Sequence, residues 1–183
     1  GYHSIETLFH RIELADDVVV ALAPAGERTI TCSEDVGPGH ENLAFRAAQL
    51  YCSATEWPAG YHIGINKRIP AGGGLGGGSA DAAATLLALN AMSPRKLHEA
   101  QLAELGSQLG ADIPFLLLDA PKALAWGHGD RMLKLPALPQ KHVALVIPEF
   151  GVGTPEVFGS LGLEEFRHPG QLSVDDLTSW ERI

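Results

Sequence analysis

The feature that most constrains this chain is a glycine-rich run at residues 70–79, where six glycines occupy seven consecutive positions. A segment with strand-like alternation precedes the run, from Tyr61 to Ile69, and a segment rich in alanine and leucine follows it, from Ala80 to Leu89. Strand, glycine loop and helix is the order in which proteins wrap a phosphate chain, because glycine permits close backbone approach and a helix N-terminus offers unpaired N–H groups. The sequence therefore predicts a nucleoside triphosphate site at Pro70, Ala71, Gly72, Gly73, Gly74, Leu75, Gly76, Gly77, Gly78 and Ser79.

The glycine run fits a linker or a standard nucleotide motif less well. A flexible linker is usually polar on both sides, whereas this run joins an apolar strand to a helix former. The pattern G-x-G-x-x-G occurs at Gly72, Gly74 and Gly77. A dinucleotide fold needs this loop directly after a strand, and it needs an acidic residue at the end of the next strand about 20 residues on. This sequence shows neither feature. The pattern G-x-x-x-x-G-K-[ST] fails because no lysine follows the glycines. We therefore expect a phosphate cradle of a third kind, with a dinucleotide oxidoreductase as a weak alternative.

Composition excludes several partners. The chain has 183 residues and a formal charge of −9, and it has no basic run, which disfavours a nucleic-acid partner. No apolar stretch reaches about 18 residues, so we expect neither a membrane-spanning helix nor a membrane partner. Cys32 and Cys52 fit no metal or redox spacing, which favours a reduced, cytoplasmic compartment. The sequence gives no indication of oligomeric state.

The remaining patterns predict an α+β fold, with strands that look antiparallel and helices between them. Ser93 and Pro94 are expected to begin a helix that runs to about Gly110, as N-cap and first helical residue. The Pro136–Pro139 stretch divides the chain into residues 1–139 and an incomplete second unit, residues 140–183. The first residue is not methionine, which indicates a fragment. The other predicted elements are a helix at Asn42–Cys52 and strands at Asp17–Leu22, Arg28–Cys32, Tyr61–Ile69, Lys122–Trp126, Arg131–Leu135 and His142–Ile147.

Several stretches, in order from Gly1 to about Phe158, resemble the GHMP kinase superfamily. The loop P-x-G-x-G-L-G-G-G-S carries the resemblance to the superfamily. The resemblance implies an N-terminal domain like domain 2 of ribosomal protein S5 and the start of a ferredoxin-like C-terminal domain. The supporting stretches are Gly1-Tyr2-His3, Thr7-Leu8-Phe9, Lys67-Arg68-Ile69-Pro70, Gly110-Ala111-Asp112-Ile113-Pro114-Phe115 and Pro148–Phe158.

The resemblance also implies an activity and a set of site residues. The activity is ATP-dependent phosphorylation, with Mg²⁺, of a hydroxyl on a cytidine-diphosphate-linked methylerythritol of the non-mevalonate isoprenoid pathway. ATP would bind the glycine loop, Asn42 and Lys67, and Asp112 would be the catalytic aspartate. The acceptor substrate would be bound by Tyr2 and Phe158, which sandwich the cytosine, by His3 and the backbone around His128, which read its edge, and by Thr154.

Several of these residues would also suit an ordinary structural role. Asp112 is suited to accept a hydroxyl proton, but an aspartate in this context also commonly caps a helix or forms a turn. Tyr2 and Phe158 also fit as core aromatics, and Lys67 as a solvated strand residue. Asp81 is predicted in the first turn of a helix, where its negative charge interacts favourably with the helix dipole. In that position it would also lie near any Mg²⁺ bound to the phosphates.

The sequence departs from the family pattern at three points. Ala80 stands where many relatives carry a second serine, which we expect to be a mild change. An upstream strand with a lysine and a second glycine-rich segment, both present in relatives, are not part of these 183 residues. Two alternatives therefore stay open: a GHMP-type kinase for another small molecule, and a nucleotide-binding module without catalysis.

Overall fold

The computed structural model describes residues 5–127 and 131–147, together with the single residues 156, 177 and 180. Within these residues the chain forms helices and two small sheets, which confirms the predicted α+β class. The elements are β1 (Ile5–His10), β2 (Asp17–Leu22), β3 (Arg28–Cys32), a short 3-10 turn (Gly39–Glu41), α1 (Leu43–Thr55), β4 (Tyr61–Asn66), α2 (Gly77–Met92), α3 (Glu99–Ser107), α4 (Ile113–Leu117), β5 (Lys122–Gly127) and β6 (Arg131–Leu135).

One sheet has β4 at its centre, antiparallel to β2 and parallel to β3. The alternation in β4 is as predicted, because Tyr61, Ile63 and Ile65 are buried while the residues between them are partly exposed. A period of two places successive side chains on opposite faces of the sheet, so one face of β4 enters the core. This sheet supports the start of the glycine loop, which begins shortly after β4 ends.

Helices α1 and α2 contribute most of the hydrophobic core against this sheet. Their contacting positions are largely alanine, which lets the helices approach closely, and Leu86 and Leu89 of α2 are fully buried. Asn42 begins α1 as its N-cap, since its Oδ1 accepts the N–H of Ala44 at 2.9 Å. The buried face of α2 fixes that helix, and therefore its N-terminus, relative to β4.

The second sheet is antiparallel, with β5 between β1 and β6. Strand β1 also contacts α4, because the ring of Phe9 stacks on the ring of Phe115 with centroids 4.9 Å apart. Helices α3 and α4 also meet closely: a Cβ on Gly106 would lie 2.7 Å from Cγ2 of Ile113, so only glycine fits there. These contacts give α4, a helix of five residues, a defined position.

Two of the predicted elements are wrong, and a third is too long. Ser93 ends α2 instead of beginning a helix, because its hydroxyl forms a local turn with Arg95, and α3 begins later, after His98. The strand predicted at His142–Ile147 is not formed; these residues are exposed and pair with no strand of the described chain. Strand β4 ends at Asn66, not at residue 69, since the following N–H groups bond to side chains.

Two further expectations concern membrane-spanning helices and the cysteines. No helix in the described part of the chain combines the length and apolarity needed to cross a membrane. Cys32 and Cys52 are both free thiols in the structure. The cytoplasmic location itself stays a prediction.

A pair of adjacent leucines tests the position of α2. Leu86→Ala should lower the free energy of unfolding by about 2–5 kcal/mol, because it removes a fully buried side chain and leaves a cavity. Leu87, which is 42% exposed, provides the control, and its replacement by alanine should cost under about 0.5 kcal/mol. Urea titrations of the two variants measure both values, and equal costs would contradict the assigned helix face.

Candidate functional site

The glycine loop between β4 and α2 is open to solvent and adopts backbone conformations that favour glycine. Gly72, Gly74 and Gly76 have φ angles of 73°, 69° and 69°. A Cβ placed on Gly72 or Gly74 would meet no other atom within 4 Å, so the backbone of the loop borders open space. The loop therefore has room for a ligand that contacts main-chain atoms.

The loop ends at the N-terminus of α2, which carries unpaired N–H groups. Gly76 is the N-cap, and no side chain caps the helix there. The first intrahelical bond is donated by the N–H of Ala80 to the carbonyl of Gly76 at 2.8 Å. The N–H groups of residues 77–79 precede it and have no intrahelical acceptor, which makes this end suitable for an anion.

Asp112 lies next to this helix N-terminus. It occupies the N-cap position of α4, but its side chain does not cap that helix. A Cβ on Gly76 would lie 3.9 Å from Oδ2 of Asp112, so the carboxylate borders the last residue of the glycine loop. Ser79 Oγ would lie equally close to a Cβ on Gly110, at the turn that leads to Asp112. The fold thus brings two distant sequence motifs together at the start of α2.

Arg11 holds the far end of α4. Its Nη2 donates to the carbonyl oxygens of Leu116 at 2.9 Å and Leu118 at 2.6 Å, and more weakly to Phe115 at 3.3 Å. A guanidinium at a helix C-terminus satisfies carbonyls that lack intrahelical partners and complements the helix dipole. Arg11 therefore fixes the short helix that carries Asp112 at its other end.

Lys67 lies at the centre of a buried ion network beneath the loop. Its Nζ donates to Oδ2 of Asp81 at 2.9 Å and to Oδ2 of Asp16. Oδ1 of Asp16 accepts the backbone N–H groups of Arg68 at 2.5 Å and of Ile69 at 2.8 Å. The three charged side chains are at most 4% exposed, and we call them the Asp16–Lys67–Asp81 network.

The pKa values in this network reflect two opposing effects: burial disfavours the charged form of each group, and pairing with an opposite charge favours it. Burial raises the pKa of Asp16, but hydrogen bonds from Arg68, Ile69 and Lys67, together with the charge of Lys67, outweigh it, and the net pKa is lowered. Burial raises the pKa of Asp81, and Lys67 offsets this only in part. Burial lowers the pKa of Lys67, but bonds to the two carboxylates reverse the direction and raise it. Lys67 is therefore a stable cation.

A cleft of about 740 Å³ joins these parts. Its walls come from β1 and the residues after it, from the glycine loop, from the first turns of α2 and from α4. Much of the wall is apolar, and the polar groups Asp16, Asp81 and Asp112 are among its lining residues. A mostly apolar cleft with a few convergent polar groups is typical of a ligand site.

The structure brings together part of the predicted site. The glycine loop and Asp112 line one cleft, and Lys67 lies beneath the start of α2 beside it. The side chain of Asn42 caps α1 instead, and its role near the nucleotide stays a prediction. The expectation for Asp81 is wrong, because it lies in the second turn of α2 and not the first. The alternative of a solvated Lys67 does not hold, because its side chain is 4% exposed. The predicted acceptor residues lie outside the described part of the chain; they are Tyr2, His3, His128, Thr154 and Phe158.

Asp16 is a site residue that the sequence patterns did not predict. A signal for it was present, because β2 and β4 are antiparallel and Asp17 pairs with Asn66. That register places the acidic start of β2 beside Lys67, which follows the end of β4. Register is a property of strand pairing, so the pattern of either strand alone did not show it.

Comparisons with known proteins show which family and which enzymes this chain is similar to. Residues 42–119 match the family described as GHMP kinases N terminal domain. The chain is 39% identical to 4-diphosphocytidyl-2-C-methyl-D-erythritol kinase of Pseudarthrobacter chlorophenolicus over 97% of its own length and 58% of that protein's. A crystal structure of 4-(cytidine 5'-diphospho)-2C-methyl-D-erythritol kinase superposes with a TM-score of 0.63 at 47% identity, over 76% of this chain and 48% of that one.

A homoserine kinase from Cytophaga hutchinsonii has the same fold. It superposes with a TM-score of 0.63 at 19% identity and covers 88% of this chain and 54% of its own. Residues 42–119 belong to the family of GHMP kinase N-terminal domains, and the fold of the described residues is that of GHMP kinases. It spans about half the length of the relatives that it matches.

The lowered pKa of Asp16 predicts how the network responds to acid. Because the pKa lies below its ordinary value of 3.8, the ionised carboxylate stabilises the fold above that pH, and the stabilisation is lost as the pH falls through the folded pKa. Asp16→Asn should therefore be less stable than the wild type at pH 7, and this difference should shrink below pH 3.8. Urea titrations across this range measure it, and a difference independent of pH would contradict the assignment.

Proposed function

We propose that this chain is the ATP-binding part of a kinase that phosphorylates the 2-hydroxyl of 4-diphosphocytidyl-2-C-methyl-D-erythritol. The observation that carries the proposal is the Asp112 carboxylate beside the glycine loop at the uncapped N-terminus of α2. Phosphoryl transfer to a hydroxyl requires a proton acceptor next to an anion site, and this arrangement supports that assignment. Similarity to 4-diphosphocytidyl-2-C-methyl-D-erythritol kinases supports the choice of substrate.

The phosphates of ATP would bind the backbone of the glycine loop and the start of α2. The N–H groups of residues 77–79 point along the helix axis toward this space, and the helix adds roughly half an elementary positive charge there. Main-chain donors of this kind are fixed before the ligand arrives. They stabilise charge on the transferred phosphoryl group at no further cost in reorganisation.

Asp112 would accept the proton of the acceptor hydroxyl as the phosphoryl group transfers. A carboxylate that is not engaged in capping α4 keeps its oxygens available for that proton. The hydroxyl oxygen forms its bond to the γ-phosphorus while the bond to the β,γ-bridging oxygen breaks, and ADP leaves. The proton passes to the carboxylate oxygen of Asp112, so charge and atoms balance.

Mg²⁺ is part of the proposal, and the residues present fit it. The described residues contain no group of three or more metal-ligating side chains. Mg²⁺ in kinases needs no such cage, because one or two protein oxygens and the substrate phosphates suffice. Ser79 is the oxygen-bearing side chain at the start of α2 that would hold it, and the ion would neutralise charge on the phosphates.

The acceptor side and the setting of the enzyme are also part of the proposal. Tyr2 and Phe158 would stack on the cytosine, and His3, His128 and Thr154 would contact the substrate, as expected from the family resemblance. The division into residues 1–139, which bind ATP, and 140–183, which begin a second domain, belongs to the proposal as well. The free cysteines and the small-molecule substrate support a cytoplasmic location.

The deciding experiment measures ADP release by the chain with 4-diphosphocytidyl-2-C-methyl-D-erythritol, and with homoserine as the alternative acceptor. We expect release with the first substrate and none with the second. Asp112→Asn should lower kcat by about 10²–10⁴ because it removes the general base, with ATP affinity preserved. Asp119→Asn, an exposed aspartate just after α4, is the matched control and should retain full turnover.

The outcomes separate the alternatives. Release with another alcohol only would assign a different GHMP-type kinase. ATP binding without any ADP release would leave a nucleotide-binding module. Normal turnover by the Asp112→Asn variant would show that this carboxylate is not the base.

A pair of glycines tests the phosphate cradle. Gly76→Ala should weaken ATP binding by at least about tenfold, which corresponds to ~1.4 kcal/mol, since its methyl group enters the space between loop and Asp112. Gly37→Ala imposes a similar strain at φ 91° but lies outside the cleft lining, so it should leave the ATP Kd unchanged. Calorimetric titration of both variants measures this, and equal Kd values would remove the cradle assignment.

A further inference from the structure

We propose that Asp16 is a positioning residue for the phosphate-binding loop. It makes no contact in the reaction itself; it fixes the residues from which the glycine loop starts and orients Lys67 beneath the first turn of α2. The proposal rests on the proposed function, because the loop is taken to bind the phosphates of ATP. It adds a residue to that site that neither the loop motif nor the match at residues 42–119 contains.

The first step of the argument is the number of bonds that one carboxylate makes. Asp16 lies directly before β2, and its side chain is 2% exposed. Its Oδ1 accepts the N–H groups of both Arg68 and Ile69, while its Oδ2 accepts from Lys67. These three consecutive residues lead directly into Pro70, so the loop leaves β4 from a fixed point.

The second step is that the network joins both ends of the loop. Lys67 precedes the glycine run, and Asp81 lies on α2, which follows it. The bond between Lys67 and Asp81 therefore joins the segment before the loop to the helix after it. Asp16, which lies before β2, binds the same ammonium group from a third segment. A Cβ on Gly77 would lie 3.3 Å from Nζ of Lys67, so the cation is held directly under the helix N-terminus.

The third step is the sign of the charge. The network contains two carboxylates and one ammonium, and Oδ1 of Asp81 has no hydrogen-bond partner among the described residues. A net negative cluster close to a triphosphate repels it. If Asp16 acted only through its charge, removing it would therefore tighten ATP binding. A positioning role predicts the opposite, because loss of the anchor releases the loop.

The chain offers a matched control at the next position. Asp17 forms an ion pair with the side chain of Arg68 at 2.7 Å, with both side chains more than half exposed. Asp17→Ala therefore removes a neighbouring aspartate and a contact to the same segment. It leaves the backbone N–H groups and Lys67 untouched, and exposed pairs of this kind contribute little.

The test is titration of the full chain with ATP, and steady-state kinetics where turnover is present. Asp16→Ala should raise the Kd for ATP by about tenfold to a hundredfold, the range expected for lost hydrogen bonds to a charged group. Asp16→Asn keeps an oxygen for the two N–H groups but loses the ion pair. Its Kd for ATP should therefore rise by only about threefold, a smaller effect than the loss of one hydrogen bond to a charged group. Asp17→Ala should match the wild type, and KM for ATP should change more than kcat.

Tryptic cleavage after Arg68 gives a second readout that needs no nucleotide. It should be faster in both Asp16 variants than in the Asp17→Ala control, because the N–H of Ile69 is released or less firmly held. If Asp16→Ala does not fold, the Asn variant decides by the same two measurements. An ATP Kd that is unchanged or tighter in the folded Asp16 variants, with unchanged cleavage, would overturn the proposal. A wild-type chain that binds no ATP would overturn the proposed function instead, and the cleavage rates would still test whether Asp16 holds the loop.

Discussion

The geometry of the site depends on the ammonium of Lys67 between two buried carboxylates. Burying three charges is costly, and such groups are poor contributors to stability when compared with apolar side chains. Their value here lies in geometry, since the bonds connect the segment before β2, the end of β4 and the second turn of α2. The network specifies one arrangement of these segments because any other leaves a buried charge unpaired.

A glycine-rich loop needs such external support. Residues 70–76 contain four glycines, each of which loses more backbone entropy on ordering than any other residue would. Three of them, Gly72, Gly74 and Gly76, have positive φ angles that follow from the path of the chain, and no Cβ restricts them to it. The conformation of the loop is therefore imposed from its two ends, by Asp16 and Lys67 before it and by the buried face of α2 after it.

Local patterns predicted what depends on local structure. Strands β2 and β3 have the predicted bounds, and the burial of β4 alternates as expected, because period-two alternation is visible in one segment. The predictions for Ser93 and for residues 142–147 are wrong, because a turn made by the Ser93 hydroxyl decides the first region and the lack of a partner strand among the described residues decides the second. Resemblance to a family predicts a catalytic role for Asp112, whereas Asp16 and Arg11 emerge only from tertiary contacts.

One short segment sets both halves of the site. Phe9 and Arg11 hold α4 and thereby the Asp112 carboxylate, and Asp16 holds the start of the glycine loop. The distance between the Asp112 carboxylate and the glycine loop is therefore fixed by Phe9 and by the few residues that connect β1 to β2. Proton transfer requires hydrogen-bond reach, and a displacement of about 1 Å costs much of the rate. In this chain the distance on which the proposed reaction relies depends on residues 9–16, of which only Phe9 belongs to a stretch that resembles the family, as much as on the glycine run.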